Sequence, residues 1–220
     1  MPDVRGVIFD VDGVLVESYH AHFESWKQLA EENNLTLTEA EFSREFGRTS
    51  REIIADLWPE FGASAERIAE FDERKEALYR EIVAADFPAM EGAVKLIDDL
   101  LAAGFKIGVG SSGPPENVAL TLAQLGRAEK FSGVVTGADV SRGKPDPEVF
   151  LTCAAKMGVA PEACAVIEDA AAGIAAANAA SMKSIALVSR GHHRDEYGEA
   201  VCIVDHLDEL SPQSIAELIG

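Results

Sequence analysis

The feature that most constrains how this chain can fold is an interruption. Residues 4–9 form an apolar run rich in branched side chains that stops at Asp10 and reads as a buried strand. The next strand candidate begins only at Phe105. From about Tyr19 to Asp86 apolar residues instead recur at helical spacing, first Phe23, Trp26, Leu29 and Ala30, then Ile68, Phe71, Leu78 and Ile82. After Pro88 the two patterns alternate. A helix over residues 93–103 closes at Gly104, a residue suited to a left-handed cap. A strand over 105–109, a helix over 116–125 and a strand over 133–136 follow. Asp146-Pro147 predicts a helix start with a capping side chain and a first-turn proline. Next come a strand over 163–167, a helix over 170–180, a strand over 184–188 and a short strand over 202–204. Ser211-Pro212 opens a last helix.

Strands that alternate with helices predict a parallel sheet covered on both faces. The expected fold is α/β: a Rossmann-like, three-layer α/β/α core of residues 1–16 and 89–220, with an all-helical domain of residues 17–88 inserted after the first strand.

In open sheets of this kind ligands bind beyond the carboxyl ends of the strands. Read there, the first strand delivers Asp10 and Asp12, and the second delivers Ser111 and Ser112. The loop after the third carries Lys144, and the fourth is followed by Glu168 and Asp169. One acid after a strand is commonly just a helix cap, but four polar sets at four strand ends point to one site. Clustered carboxylates with few cations make an oxygen-rich site that suits Mg²⁺. A carboxylate beside the metal can attack phosphorus and form an acyl phosphate. Lys144 and the Ser111 hydroxyl can hold the phosphoryl oxygens as charge builds. Asp12, past a tight bend, can reach the leaving oxygen as a general acid.

Three other motifs fail on inspection. Asp10-x-Asp12 does not continue as a calcium loop, since Val14 and Leu15 replace the required polar residue and glycine. Gly143-Lys144 lacks the glycine and the hydroxyl of a P-loop, Ala138 and Pro145 standing there instead. Gly108-Val-Gly110-Ser-Ser-Gly113 spells a dinucleotide fingerprint, the basis of a remote dinucleotide-binding alternative. Its first glycine falls inside the strand, however, and Pro114 and Pro115 lack the N–H groups that would cradle a pyrophosphate.

Charge bears on partners. A formal net charge of −19 excludes a chain whose main business is gripping nucleic acid or an anionic membrane. A bound metal or local cation still permits a small anionic substrate. Cys153, Cys164 and Cys202 form no metal-type or disulfide-type spacing, and no targeting or membrane segment is read. A cytoplasmic monomer or weak dimer is expected. His192 and His193 read as a surface loop.

The sequence resembles the haloacid dehalogenase superfamily, in its phosphatase and phosphomutase branch. Phe9-Asp10-Val-Asp12-Gly13-Val14 matches the first motif, Ser111 the second, Lys144 in Gly-Lys-Pro-Asp-Pro the third, and Ile167-Glu168-Asp169 the fourth. The resemblance implies Asp10 as nucleophile and Asp12 as acid/base. It also implies Mg²⁺ held by Asp10, the Asp12 carbonyl and Asp169, with Glu168 assisting. The second aspartate separates phosphoryl transfer from dehalogenation in this family.

Within the branch the chain is most similar to the β-phosphoglucomutase-like group. His22 and Trp26 match its first cap helix, Ser18 stands at its hinge threonine, and Arg51 and Lys75 match its cap cations. That implies a helical cap closing over the substrate, with Ser18, His22, Arg51 and Lys75 as candidate selectors. A Ser-Lys-Asn run that helps such mutases hold a second phosphate is replaced here by Gly113-Pro114-Pro115. The expected activity is therefore Mg²⁺-dependent hydrolysis of a small phosphorylated metabolite, a sugar phosphate, with a phosphomutase as the alternative.

Overall fold

A computed structural model of the chain describes residues 4–59 and 64–220. They form two compact units, one running to Glu17 and again from Pro88 to Gly220, the other spanning Ser18–Phe87.

The first unit is built on a sheet that starts with β1 (Gly6–Phe9). Its later strands are β2 (Lys106–Gly110), β3 (Gly133–Val135), β4 (Cys164–Glu168), β5 (Lys183–Leu187) and β6 (Cys202–Val204). The order is β3-β2-β1-β4-β5-β6, and every pair is parallel. β1 is thus central, Val7 lying beside Ile107 on one flank and Ala165 on the other. Because it is covered on both faces, all four of its residues are buried, which is why it reads as a continuous apolar run.

The insertion after β1 supplies α1 (Tyr19–Glu32), α2 (Glu39–Glu45), α3 (Ser50–Leu57) and α4 (Ala65–Ala85). Thr38 with Glu41, and Thr49 with Glu52, form reciprocal caps at the starts of α2 and α3. The helices bury their own core, including Trp26, Leu29, Phe42, Ile54, Phe71 and Leu78.

Back in the first unit, α5 (Ala93–Ala102) and α9 (Pro212–Ile219) pack together against β2 and β4. α7 (Glu148–Met157) and α8 (Ala171–Ala179) also pack together, α7 along β1 to β3 and α8 on β4 and β5. α6 (Pro115–Gln124) follows β2. The Rossmann-like α/β architecture expected from the alternation is therefore present. Among the described residues no helix is long and apolar enough to cross a membrane.

Glycines let α7 approach closely. A Cβ on Gly6 would lie 2.5 Å from Met157 Cε, and one on Gly108 would lie 2.4 Å from Met157 Sδ. One on Gly133 would lie 2.9 Å from the Cys153 carbonyl oxygen. So Gly108, the first glycine of the apparent dinucleotide fingerprint, clears room for a helix rather than for a phosphate.

Two local details differ from the sequence reading. Glu168 is the last residue of β4 rather than the first beyond it. Pro147 is the N-cap of α7 rather than its first helical residue, because Asp146 caps from one position earlier, accepting from the Glu148 N–H at 3.0 Å.

Candidate active site

The site begins where β1 ends. The Asp10 N–H donates to the Ile167 carbonyl at 2.9 Å, which extends the ladder with β4 and fixes Asp10 beside that strand's end. The chain then turns sharply, the N–H groups of Leu15 and Val16 donating back to the Val11 carbonyl at 2.8 and 3.1 Å. Gly13 takes φ +68° in this turn, a conformation glycine adopts without penalty. A Cβ there would also fall 1.7 Å from Asp169 Oδ2, so the acid loop and Asp169 can meet only across a glycine.

Asp10, Glu168 and Asp169 are all buried, and each offers an oxygen within 4.8 Å of the others'. Lys144 lies among them. Its Nζ donates to Asp10 Oδ1 at 2.8 Å and to Glu168 Oε1 at 2.6 Å. Glu168 Oε2 accepts from the Ala170 N–H at 2.8 Å, so both its oxygens are engaged. The loop that presents Lys144 is itself tied down: Glu148 accepts from the N–H groups of Ser141 and Arg142 at 3.0 and 3.1 Å.

The electrostatics follow from this crowding. Burial pushes the Asp10 carboxyl up to about 7; Lys144 pulls against the rise, and the charges of Glu168 and Asp12 add to it. Burial, then Glu168 and Asp10, also lift Asp169 well above the usual carboxylate range. Burial disfavours the Lys144 charge, but Asp10 and Glu168 outweigh it and hold the ammonium above its ordinary range. One ammonium thus serves a cluster of three acids, bonding two of them. The crowding that disfavours three bare carboxylates, and the all-oxygen donor set, fit a hard divalent cation such as Mg²⁺.

At the end of β2 the Ser111 N–H donates to the Val135 carbonyl at 3.0 Å, and Ser111 Oγ accepts from the Gly113 N–H at 3.0 Å. With an acceptor position so used, the hydroxyl proton remains available to donate outward. A Cβ on Gly113 would meet Ser111 Oγ at 3.3 Å and Asp12 Oδ2 at 3.7 Å, so the hydroxyl and the second aspartate flank the same glycine. Ser112 is exposed one residue on.

The inserted unit carries the remaining candidates. Ser18 is buried at the N-cap of α1. His22 Nδ1 lies 2.9 Å from Lys75 Nζ, and the His22 ring stacks on Tyr79 with centroids 4.3 Å apart. Lys75 is buried, donates to Glu76 Oε1 at 2.7 Å and sits 5.8 Å from the Trp26 ring centroid. Arg51 is exposed on the first turn of α3. The structure therefore brings His22 and Lys75 together within one unit and leaves Arg51 at its surface.

Sequence reading missed two residues at the acid cluster. Ser189 Oγ donates to Asp169 Oδ2 at 2.7 Å, and the buried Tyr197 hydroxyl donates to the Asp169 backbone carbonyl at 2.6 Å. Both come from the segment between β5 and β6, which has no periodicity to mark it. His192 and His193 belong to the same segment. His192 Nδ1 lies 3.2 Å from Glu196 Oε2, and the His193 N–H donates to Glu196 Oε1 at 2.7 Å.

A family model described as haloacid dehalogenase-like hydrolase matches residues 4–181. The chain is 31% identical over 206 residues to validoxylamine A 7'-phosphate phosphatase of Streptomyces hygroscopicus subsp. limoneus, covering 92% of this chain and 94% of that protein. It is 32% identical over 189 residues to beta-phosphoglucomutase of Bacillus subtilis, covering 83% and 82%. A crystal structure of a HAD hydrolase, family IA, variant 3, from Entamoeba histolytica superposes with a TM-score of 0.89 at 25% identity, covering 98% of this chain and 99% of that one.

Proposed function

The chain belongs to the haloacid dehalogenase-like hydrolases, and on that premise we propose that it is a Mg²⁺-dependent phosphatase for a small phosphorylated metabolite, a sugar phosphate. A validoxylamine A 7'-phosphate phosphatase, a beta-phosphoglucomutase and a phosphorylated carbohydrates phosphatase are among the relatives it matches over most of its length.

In this reading an Asp10 oxygen attacks phosphorus, the bond from phosphorus to the leaving oxygen breaks, and protonated Asp12 gives its proton to that oxygen. Asp12, now a carboxylate, takes a proton from water. The water oxygen attacks the aspartyl phosphate, the bond from Asp10 to phosphorus breaks, and inorganic phosphate leaves with Asp10 restored. Lys144, with a third donor beyond those given to Asp10 and Glu168, and Ser111, with its free proton, hold the transferring oxygens; Ser112 adds to that cradle. Asp10, the Asp12 carbonyl and Asp169 would hold Mg²⁺, with Glu168 assisting. When bound, the ion supplies the positive charge that lets an anionic phosphate approach a carboxylate. Ser18, His22, Arg51 and Lys75 would select the substrate.

One observation favours hydrolysis over mutase chemistry. A mutase must grip two phosphates, and the start of α6 offers little to the second. Pro114 and Pro115, at its N-cap and first position, have no N–H. The N–H groups of Asn117 and Val118 turn back to the Pro114 carbonyl at 3.1 and 3.3 Å.

A phosphorus NMR time course tests the reading. The protein is mixed with Mg²⁺, β-glucose 1-phosphate and a trace of glucose 1,6-bisphosphate. Inorganic phosphate as the product is the expected result. Glucose 6-phosphate growing without matching inorganic phosphate would make the enzyme a mutase.

A further inference from the structure

The family model ends at residue 181, yet two side chains beyond that point grip Asp169. Ser189 Oγ reaches the carboxylate at 2.7 Å, and the Tyr197 hydroxyl reaches the backbone carbonyl at 2.6 Å. We infer that Ser189 and Tyr197 are positioning residues that set the affinity of the site for Mg²⁺, one by fixing the rotation of the Asp169 carboxylate and the other by fixing the main chain that bears it. This rests on the Mg²⁺-dependent reading above.

The physical case starts with the freedom of an aspartate. Its terminal torsion is broad and only weakly staggered, so an ungripped carboxylate turns easily. Beside Glu168 and Asp10 it would turn to relieve repulsion, away from the orientation in which three acids share one cation. A hydroxyl donating to Oδ2 selects one rotation. The pair sits against the acid loop: the position a Cβ would take on Gly13 is 1.7 Å from Asp169 Oδ2 and 3.2 Å from Ser189 Oγ, so acid and hydroxyl meet beside the same glycine.

Tyr197 secures the other end. It is wholly buried among Ile174 and Ala186, and a buried phenol needs a partner for its proton. The partner it finds is the carbonyl of the one residue whose side chain Ser189 also holds. The turn that carries Tyr197 is in turn closed by Glu196, which binds His192 and the His193 N–H. That gives the otherwise unexplained histidine pair a place, as the hook that keeps the tyrosine in position.

The test is calorimetric titration of MgCl₂ into the metal-stripped full chain, for wild type, Ser189→Ala and Tyr197→Phe. Partners that orient metal ligands commonly change affinity 10–100-fold, so Ser189→Ala is expected to raise the Mg²⁺ Kd about 10-fold, and Tyr197→Phe about 3–10-fold. A merely structural role would lower Tm while leaving the Mg²⁺ Kd within twofold, and would overturn the inference. Tyr197→Phe removes one oxygen from a retained ring and keeps the test decisive if Ser189→Ala fails to fold. If wild type gives no heat with Mg²⁺, the Mg²⁺ reading itself fails and the positioning role falls with it. If wild type binds and both variants bind equally, only the positioning role is lost.

Discussion

Two acids in this site are where they are because a neighbour has no side chain. Gly173 lies in the first turns of α8, where alanine would ordinarily be favoured by about 1 kcal/mol. A Cβ there would fall 1.8 Å from Glu168 Oε1 and 2.6 Å from its Cγ. Glu168 cannot simply swing aside, because Lys144 and the Ala170 N–H hold its two oxygens. Gly173→Ala is therefore expected to lower turnover at least about 10-fold and to lower Tm despite the better helix former. Steady-state kinetics and a melting curve check both; a variant as active and more stable would show that Glu168 need not stand where it does. The residues that sequence alone exposed share one property: Asp10, Ser111 and Glu168 each end an apolar run, so position along the chain predicted position in space. Ser189 and Tyr197 lie 20 and 28 residues beyond the aspartate they hold, in a stretch with no pattern, and only tertiary folding joins them to it.

At the scale of elements, the close seat of α7 on the sheet is the clearest dependence. Gly133, at the start of β3, faces the Cys153 carbonyl oxygen of that helix, a backbone atom that cannot rotate away. Gly133→Ala is expected to cost about 1–3 kcal/mol by overpacking, a fall in Tm of roughly 5 °C, with turnover at 25 °C unchanged. Thermal unfolding alongside activity measures this; a drop in activity without a drop in Tm would place Gly133 in the chemistry instead. The alternation of strands and helices was legible because each buried strand is a short apolar run. The reason for the glycines was not, since Met157 lies far along the chain from Gly6 and Gly108. That is how a packing requirement came to spell a nucleotide motif. Element ends were less legible than elements: Pro147 moved from first helical residue to cap because Asp146 can cap from one position earlier.

For the molecule as a whole, the acid cluster sets how stability responds to pH. Burial pushes the folded Asp10 carboxyl up to about 7, against an ordinary value of 3.8. A raised carboxyl pKa means the folded state holds the proton more tightly than the unfolded one. Its stabilising contribution is complete below about pH 4 and is lost as pH climbs through about 7. Carboxylates held low, such as Glu32 beside Arg74, act in the opposite sense and at lower pH, where their stabilisation is lost as pH falls. Between pH 5.5 and 8 the raised Asp10 carboxyl is the contribution that changes. The metal-free protein should therefore melt lower at pH 8 than at pH 5.5. Because metal ligands bind as anions, the gain in Tm on adding Mg²⁺ should be larger at pH 8, by on the order of 5 °C. Differential scanning fluorimetry at the two pH values measures it, and an equal gain at both would mean that the cation binds elsewhere. The central place of β1 has a consequence of another kind, in the timing of synthesis. Its registered neighbours begin at Lys106 and Cys164, so the ribosome delivers the middle of the sheet long before either flank. At roughly 5–20 residues per second, Val7, Ile8 and Phe9 wait on the order of 5–20 s for their first partner strand. During that interval the helices of the insertion are already emerging, while the apolar strand still lacks the neighbours that bury it.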